Sequence, residues 1–181
     1  MTKSQANKQQ SRLVNDKGPL GFMSLPVATA FGLGLSPHAP GTCGTLLGVI
    51  LHLVTVMAFR PQLQYGILVG IFAAVCFFHY ILTPWSQRYW SDPDPRRFVL
   101  DEVAGYLVVP VLIQNEPIWL IAVMGFVGFR AFDIIKIPPA RQIDRKMHGA
   151  TGILLDDIVS GVYAVLAIRI ILWVAAWLKA L

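Results

Sequence analysis

The 181-residue chain is 55% hydrophobic and only 14% charged, whereas soluble domains run at about 45–50% apolar and about 25% charged. The surplus of apolar residues points to lipid rather than to a large soluble core. The net charge of +5 comes from bases lodged between apolar runs, without the aromatic-interleaved basic patch of a nucleic-acid binder, and suits anionic lipid headgroups.

Residues 1–18, MTKSQANKQQSRLVNDKG, are polar and read as a disordered cytoplasmic tail. No apolar stretch with a small-residue cleavage site follows, so no signal peptide is expected here. Residues 19–181 read as one membrane domain. Within it, residues 19–33, PLGFMSLPVATAFGL, are apolar but carry Pro26 and glycines, which favours an interfacial or re-entrant piece over a span. Five segments are then candidates for embedding: 43–59, 65–83, 98–113, 118–135 and 157–178. The expected fold is therefore an all-α integral membrane bundle of about five embedded helices. The second and fifth approach or exceed the roughly 20 apolar residues a span needs. The others are shorter or carry charge. Cys43 and Cys76 form no metal or redox spacing.

Charge sets the expected orientation. Lys3, Lys8, Arg12 and Lys17 precede the first segment, Arg88, Arg96 and Arg97 follow the second, and Lys136, Arg141, Arg145 and Lys146 follow the fourth. The alternate connectors, RPQLQ and QNEP, are nearly free of bases. By the positive-inside rule the N-terminus is cytoplasmic and the chain crosses five times. Asp101, Glu102, Asp133, Asp144, Asp156 and Asp157, six of the ten acids, then crowd the cytoplasmic helix ends, where bases alone are expected.

Two of the acidic stretches share a shape. DEVAG (101–105) and DIVSG (157–161) each place a glycine four residues after an aspartate, on the same helix face one turn deeper. Such a glycine lets a second helix approach closely. Two helices facing each other this way bring Asp101, Glu102, Asp156 and Asp157 together, and a hard divalent cation such as Mg²⁺ relieves their repulsion. Helix capping explains one acid per helix but explains paired acids on two membrane helices poorly, and intramembrane acids are functional by default.

The fourth segment ends FRAFDIIK, with Arg130, Asp133 and Lys136 spaced by three. The stripe is either a salt-bridge ladder with snorkelling bases or a metal ligand, Asp133, flanked by cations for an anionic substrate. GLSPHAPGTCGTLLG is rich in Gly and Pro before a helix, so Gly41, Thr42, Gly44 and Thr45 are candidates to present N–H groups and hydroxyls to a phosphate. It lacks the Gly-Lys-Ser/Thr of a Walker loop, and a turn that starts a helix explains it as well. In the basic loop 136–155, Asp144, Arg145 and His148 are candidates for supporting roles. DPDPR (92–96) lacks the rest of an aspartyl-phosphate phosphatase motif and reads as a solvated loop.

GLSPHAPGTCGTL, DEVAG and FRAFDIIKIPPARQIDRKMHGATGILLDDIVSG, in this order and spacing, resemble phosphatidylglycerophosphatase A from about Gly32 to Gly161. The resemblance implies a Mg²⁺-dependent phosphatase of the bacterial inner membrane that converts phosphatidylglycerophosphate to phosphatidylglycerol and inorganic phosphate. Asp101, Glu102, Asp156 and Asp157, with Asp133, would then hold metal. Arg130 and Lys136 would hold the phosphate, and Thr42 and the glycine backbone would orient it. The chain departs from the family pattern at Lys136-Ile137-Pro138-Pro139, where Lys-Pro-x-Pro is usual, and at Gly149-Ala150-Thr151-Gly152, where Gly-Gly-x-Gly is usual. Three other readings stand behind this one: a CDP-alcohol phosphotransferase, whose motif the chain lacks, an ion or proton transporter, and a non-catalytic membrane subunit. Within the phosphatase reading, another lipid or a soluble phosphate ester is the alternative substrate.

Overall fold

The computed structural model describes residues 19–180; the polar tail expected over 1–18, with its bases, lies outside them. All regular structure among the described residues is helical: α1 (Pro19–Ala28), a short 3₁₀ turn (Leu33–Leu35), α2 (Pro40–Ala58), α3 (Pro61–Trp90), α4 (Leu100–Leu112), α5 (Ile118–Ile135), α6 (Ala140–Lys146) and α7 (Gly149–Lys179). Prolines start several of them. Pro40 and Pro61 occupy the first positions of α2 and α3, where the missing N–H costs no helical bond. Ser91 and Lys136 end α3 and α5 in the left-handed conformation.

Among the described residues four helices, α2, α3, α5 and α7, are long and apolar enough to cross a membrane. The third expected segment, 98–113, is different. α4 has 13 residues, about 20 Å of helix, against a hydrocarbon core of about 30 Å. It packs against α2, α3, α5 and α7, and every residue from Leu100 to Pro110 except Glu102 is buried. Its apolar run meets protein, not lipid. α1, at 10 residues, is likewise too short to span. After it the chain turns under the start of α4, where the Val99 N–H donates to the Ala28 carbonyl at 3.2 Å.

The main core gathers Val103, Tyr106, Leu107, Val109, Phe129, Ala164 and Ile168 around α4. Glycines set its closest approaches. A Cβ on Gly161 would strike the Gly105 carbonyl, and one on Gly105 would strike the Phe129 ring. Gly105 and Gly161 therefore sit at the contact of α4 with α7, as DEVAG and DIVSG lead one to expect. A smaller core of Ala28, Leu82, Phe98 and Leu100 holds α1 and α3 to the start of α4.

Candidate active site

A cavity of about 510 Å³ opens at one end of the bundle. Its walls come from the lead-in and first turn of α2 (His38–Thr42), the α3–α4 loop (Pro93–Arg96), the start of α4 (Asp101, Glu102), the end of α5 (Arg130, Asp133, Lys136), Asp144 of α6, and α7 with its lead-in. Among the described residues seven carboxylates and three Arg or Lys side chains line it.

The two acidic pairs divide their work. Asp101 and Glu102 lie in the first turn of α4. Neighbours on a helix point about 100° apart, and the longer glutamate side chain reaches back to the place its neighbour faces. Together with Asp157 they bring carboxylate oxygens within 4.8 Å of one another. Asp156, next to Asp157, faces elsewhere and accepts a hydrogen bond from Lys136 Nζ at 2.5 Å. The same ammonium donates to Asp144 at 2.6 Å. Lys136 thus ties the end of α5 to α6 and α7. Burial disfavours its charge, but the hydrogen bonds and charges of Asp144 and Asp156 outweigh that and hold its pKa above the ordinary lysine range.

α7 starts at Gly149, eight residues before the expected boundary, so Asp156 and Asp157 lie about two turns inside it and its first turn holds no acid. Capping therefore cannot account for them, although it remains compatible with Asp101 and Glu102. Both α7 aspartates are only 4% exposed. Among the buried side-chain atoms, Asp101 Oδ1, Glu102 Oε2 and Arg130 Nε have no hydrogen-bond partner. Unsatisfied polar atoms at such depth are costly, and the carboxyl pair is what an oxygen-seeking cation would satisfy.

The polar stripe on α5 is half a ladder. Arg130 Nη1 pairs with Asp133 at 2.6 Å, while Lys136 turns to Asp144 and Asp156. Gly41 sits against both Glu102 and Arg130: a Cβ there would strike Glu102 Oε1 and lie 3.1 Å from Arg130 Nη1. The first turn of α2 can approach the acids only because this residue is glycine. Its Gly41 and Thr42 N–H groups have no acceptor within the helix and border the cavity. Gly44 and Thr45 do not border it. A Cβ on Gly44 would lie 2.7 Å from Val99 Cβ, and the Thr45 hydroxyl is buried and donates to the Gly41 carbonyl at 2.9 Å. Both serve the packing of α2 on α4.

The α3–α4 loop, which its sequence marks only as solvated, also belongs to the site. DPDPR is exposed as expected, apart from buried Pro95, yet Asp94 and Arg96 line the cavity. The available signal was a cluster of charge and proline tying two embedded segments together on the same side as the other acids. His38, within the quoted glycine-proline stretch, also lies on the wall.

Comparison with known proteins bears on this arrangement. A model of the family described as phosphatidylglycerophosphatase A matches residues 26–172. The chain belongs to the phosphatidylglycerophosphatase A family. It is 36% identical over 137 residues to the phosphatidylglycerophosphatase A of Escherichia coli K12, covering 75% of this chain and 76% of that one. It is 32% identical over 163 residues to the Haemophilus influenzae protein of the same description, covering 86% and 95%. It is 30% identical over 158 residues to a putative phosphatidylinositol-3-phosphatase of Bacteroides thetaiotaomicron, covering 84% and 96%. No solved structure matches. Family membership makes the protein a lipid phosphatase of phosphatidylglycerol synthesis, and the apolar helices place it in a membrane.

Proposed function

We propose that residues 19–181 form one catalytic domain, a Mg²⁺-dependent phosphatase that hydrolyses phosphatidylglycerophosphate to phosphatidylglycerol and inorganic phosphate. The observation that carries this reading is the convergence of Asp101, Glu102 and Asp157, two of them with buried, unpartnered oxygens beside Arg130. Carboxylates so outnumber cations in the cavity that a phosphate would be repelled without a divalent ion. An all-oxygen carboxylate set suits Mg²⁺, which when bound supplies charge neutralisation and Lewis-acid polarisation of the phosphoryl group.

The chain's own groups do the rest. Asp101, Glu102 and Asp157 hold the cation. Arg130, oriented by Asp133, donates to the phosphate oxygens as they gain charge. The Gly41 and Thr42 N–H groups at the start of α2 add donors on the other side. Lys136 fixes Asp156 and Asp144 and so holds α6 and α7 around the cavity. In the hydrolysis a water oxygen bonds to the terminal phosphorus as the P–O ester bond to glycerol breaks, and a proton from that water goes to the glycerol oxygen. The bases of the loops beside the cavity, with the positive-inside rule, support a cavity open to the cytoplasm from the bacterial inner membrane.

The test is phosphate release by purified protein in detergent, with Mg²⁺ and with EDTA. The substrates are phosphatidylglycerophosphate, phosphatidic acid and phosphatidylinositol 3-phosphate, the last suggested by the Bacteroides relative's name. Mg²⁺-dependent release from the first alone is the expected result. Preferential release from either of the others would change the substrate, and equal release in EDTA would remove the metal.

A further inference from the structure

We propose that Arg96 is a specificity-determining residue that binds the bridging phosphodiester of the substrate, while the acids and Arg130 engage its terminal phosphate. The inference rests on the phosphatase reading above and adds to it a second anion contact. The cavity, at about 510 Å³, is far larger than one phosphate group requires. Three Arg or Lys side chains line it. Arg130 is held by Asp133, and Lys136 by Asp144 and Asp156 together. Arg96 alone of the three has no ion-pair partner among the described residues.

Its backbone is nevertheless firmly placed. In the α3–α4 loop the Gln87 side-chain amide donates to the Pro93 carbonyl at 2.7 Å. The Asp94 N–H donates to Asp92 Oδ1 at 3.0 Å, and the Phe98 N–H to the Pro95 carbonyl at 2.8 Å. Pro95 and Phe98 are buried on either side of Arg96, which is itself exposed. The loop therefore presents a solvated, uncommitted guanidinium at the rim, beside exposed Asp94, of a cavity in which Asp101, Glu102 and Asp157 lie deeper. A guanidinium binds phosphate in a bidentate fork, which a lysine does not reproduce. Phosphatidylglycerophosphate carries two phosphates joined by a glycerol unit, with the acyl chains beyond the diester. When the terminal phosphate reaches the buried acids, the diester stays toward the rim. A lipid whose only phosphate is the one to be cleaved has nothing to place there.

The experiment compares the wild type, Arg96→Gln, Arg96→Lys and Arg97→Gln in detergent micelles, measuring kcat and KM for phosphatidylglycerophosphate and the inhibition constant of inorganic phosphate. Arg97 is exposed and off the cavity wall, so its variant controls for general surface charge. Arg96→Gln is expected to raise KM about tenfold, the scale of one charge-assisted hydrogen bond. Its kcat should stay within about twofold and its phosphate inhibition should be unchanged. Arg96→Lys should recover part of the loss, and Arg97→Gln should match the wild type. An unchanged KM in Arg96→Gln, an equal rise in Arg97→Gln, or a parallel loss of kcat and of phosphate inhibition would overturn the proposal. Absence of wild-type turnover would overturn the phosphatase reading itself, and this proposal with it.

Discussion

α3 and α4 follow one another in the chain, are both apolar, and meet their surroundings in opposite ways. α3 runs 30 residues and leaves Leu63, Phe77, Phe78 and Ile81 exposed along one face while Leu68, His79 and Leu82 on the other are buried, as a helix at the edge of a bundle in lipid does. α4 runs 13 residues and is enclosed by four long helices. Hydropathy records that both leave water; it does not record what replaces the water. A helix wrapped in protein needs neither the length of a span nor a wholly apolar first turn, because its end faces a cavity walled by other helices. α4 can therefore carry Asp101 and Glu102 where a lipid-facing helix would bear a cost of several kcal/mol for each acid.

The sharpest way to break that contrast is at the acids. Asp101→Asn, Glu102→Gln and Asp157→Asn are each expected to lower kcat by about a hundredfold or more, read as phosphate release from protein whose melting temperature is preserved. Asp156→Asn, whose carboxylate holds Lys136 rather than the acid cluster, should lose about tenfold at most. Equal losses at Asp156 and Asp157 would erase the division between them.

Packing gives the next effect. Gly161→Ala should destabilise by about 1–3 kcal/mol, because its methyl meets the Gly105 carbonyl. Gly66→Ala and Gly70→Ala on α3 meet nothing within 4 Å and should leave thermal stability unchanged or slightly raised. Thermal melts in one detergent compare all three. At the cavity, Gly41→Ala pushes a methyl toward Glu102 and Arg130; it should cut activity by about tenfold or more while melting close to the wild type.

The smallest effect concerns pH. The Lys136 pKa is raised in the folded protein. Its contribution is therefore fully present below the ordinary lysine pKa of about 10.4 and is lost only as pH rises through the higher folded value. The melting difference between wild type and Lys136→Met should accordingly not shrink from about pH 7 to about pH 9. A difference that shrinks across that window would contradict the tether.

Much of this was legible in the sequence where the signal was local. Helical periodicity put Gly105 and Gly161 on the faces of Asp101 and Asp157, and these are the glycines at the helix contact. What sequence could not supply was the third dimension. The run 98–113 has the hydropathy of a span because burial in protein and in lipid select the same side chains. The start of α7 was hidden because GATG looks like a breaker, yet its glycines lie within the first helical turn, with Gly149 left-handed at φ 76. Asp156 and Asp157 looked equivalent until the helix turned one toward α4 and the other toward Lys136. Arg96 and Asp94 looked like a solvated loop because nothing in DPDPR says which cavity it borders.

The most direct test of the central claim is equilibrium binding of Mn²⁺, a spectroscopic substitute for Mg²⁺, followed by electron paramagnetic resonance on purified wild type, Asp156→Asn and Asp157→Asn. Wild type and Asp156→Asn should bind the ion within a few-fold of each other, and Asp157→Asn at least about tenfold more weakly. Binding by Asp157→Asn as tight as that of the wild type would contradict the assignment of Asp101, Glu102 and Asp157 as the cation site.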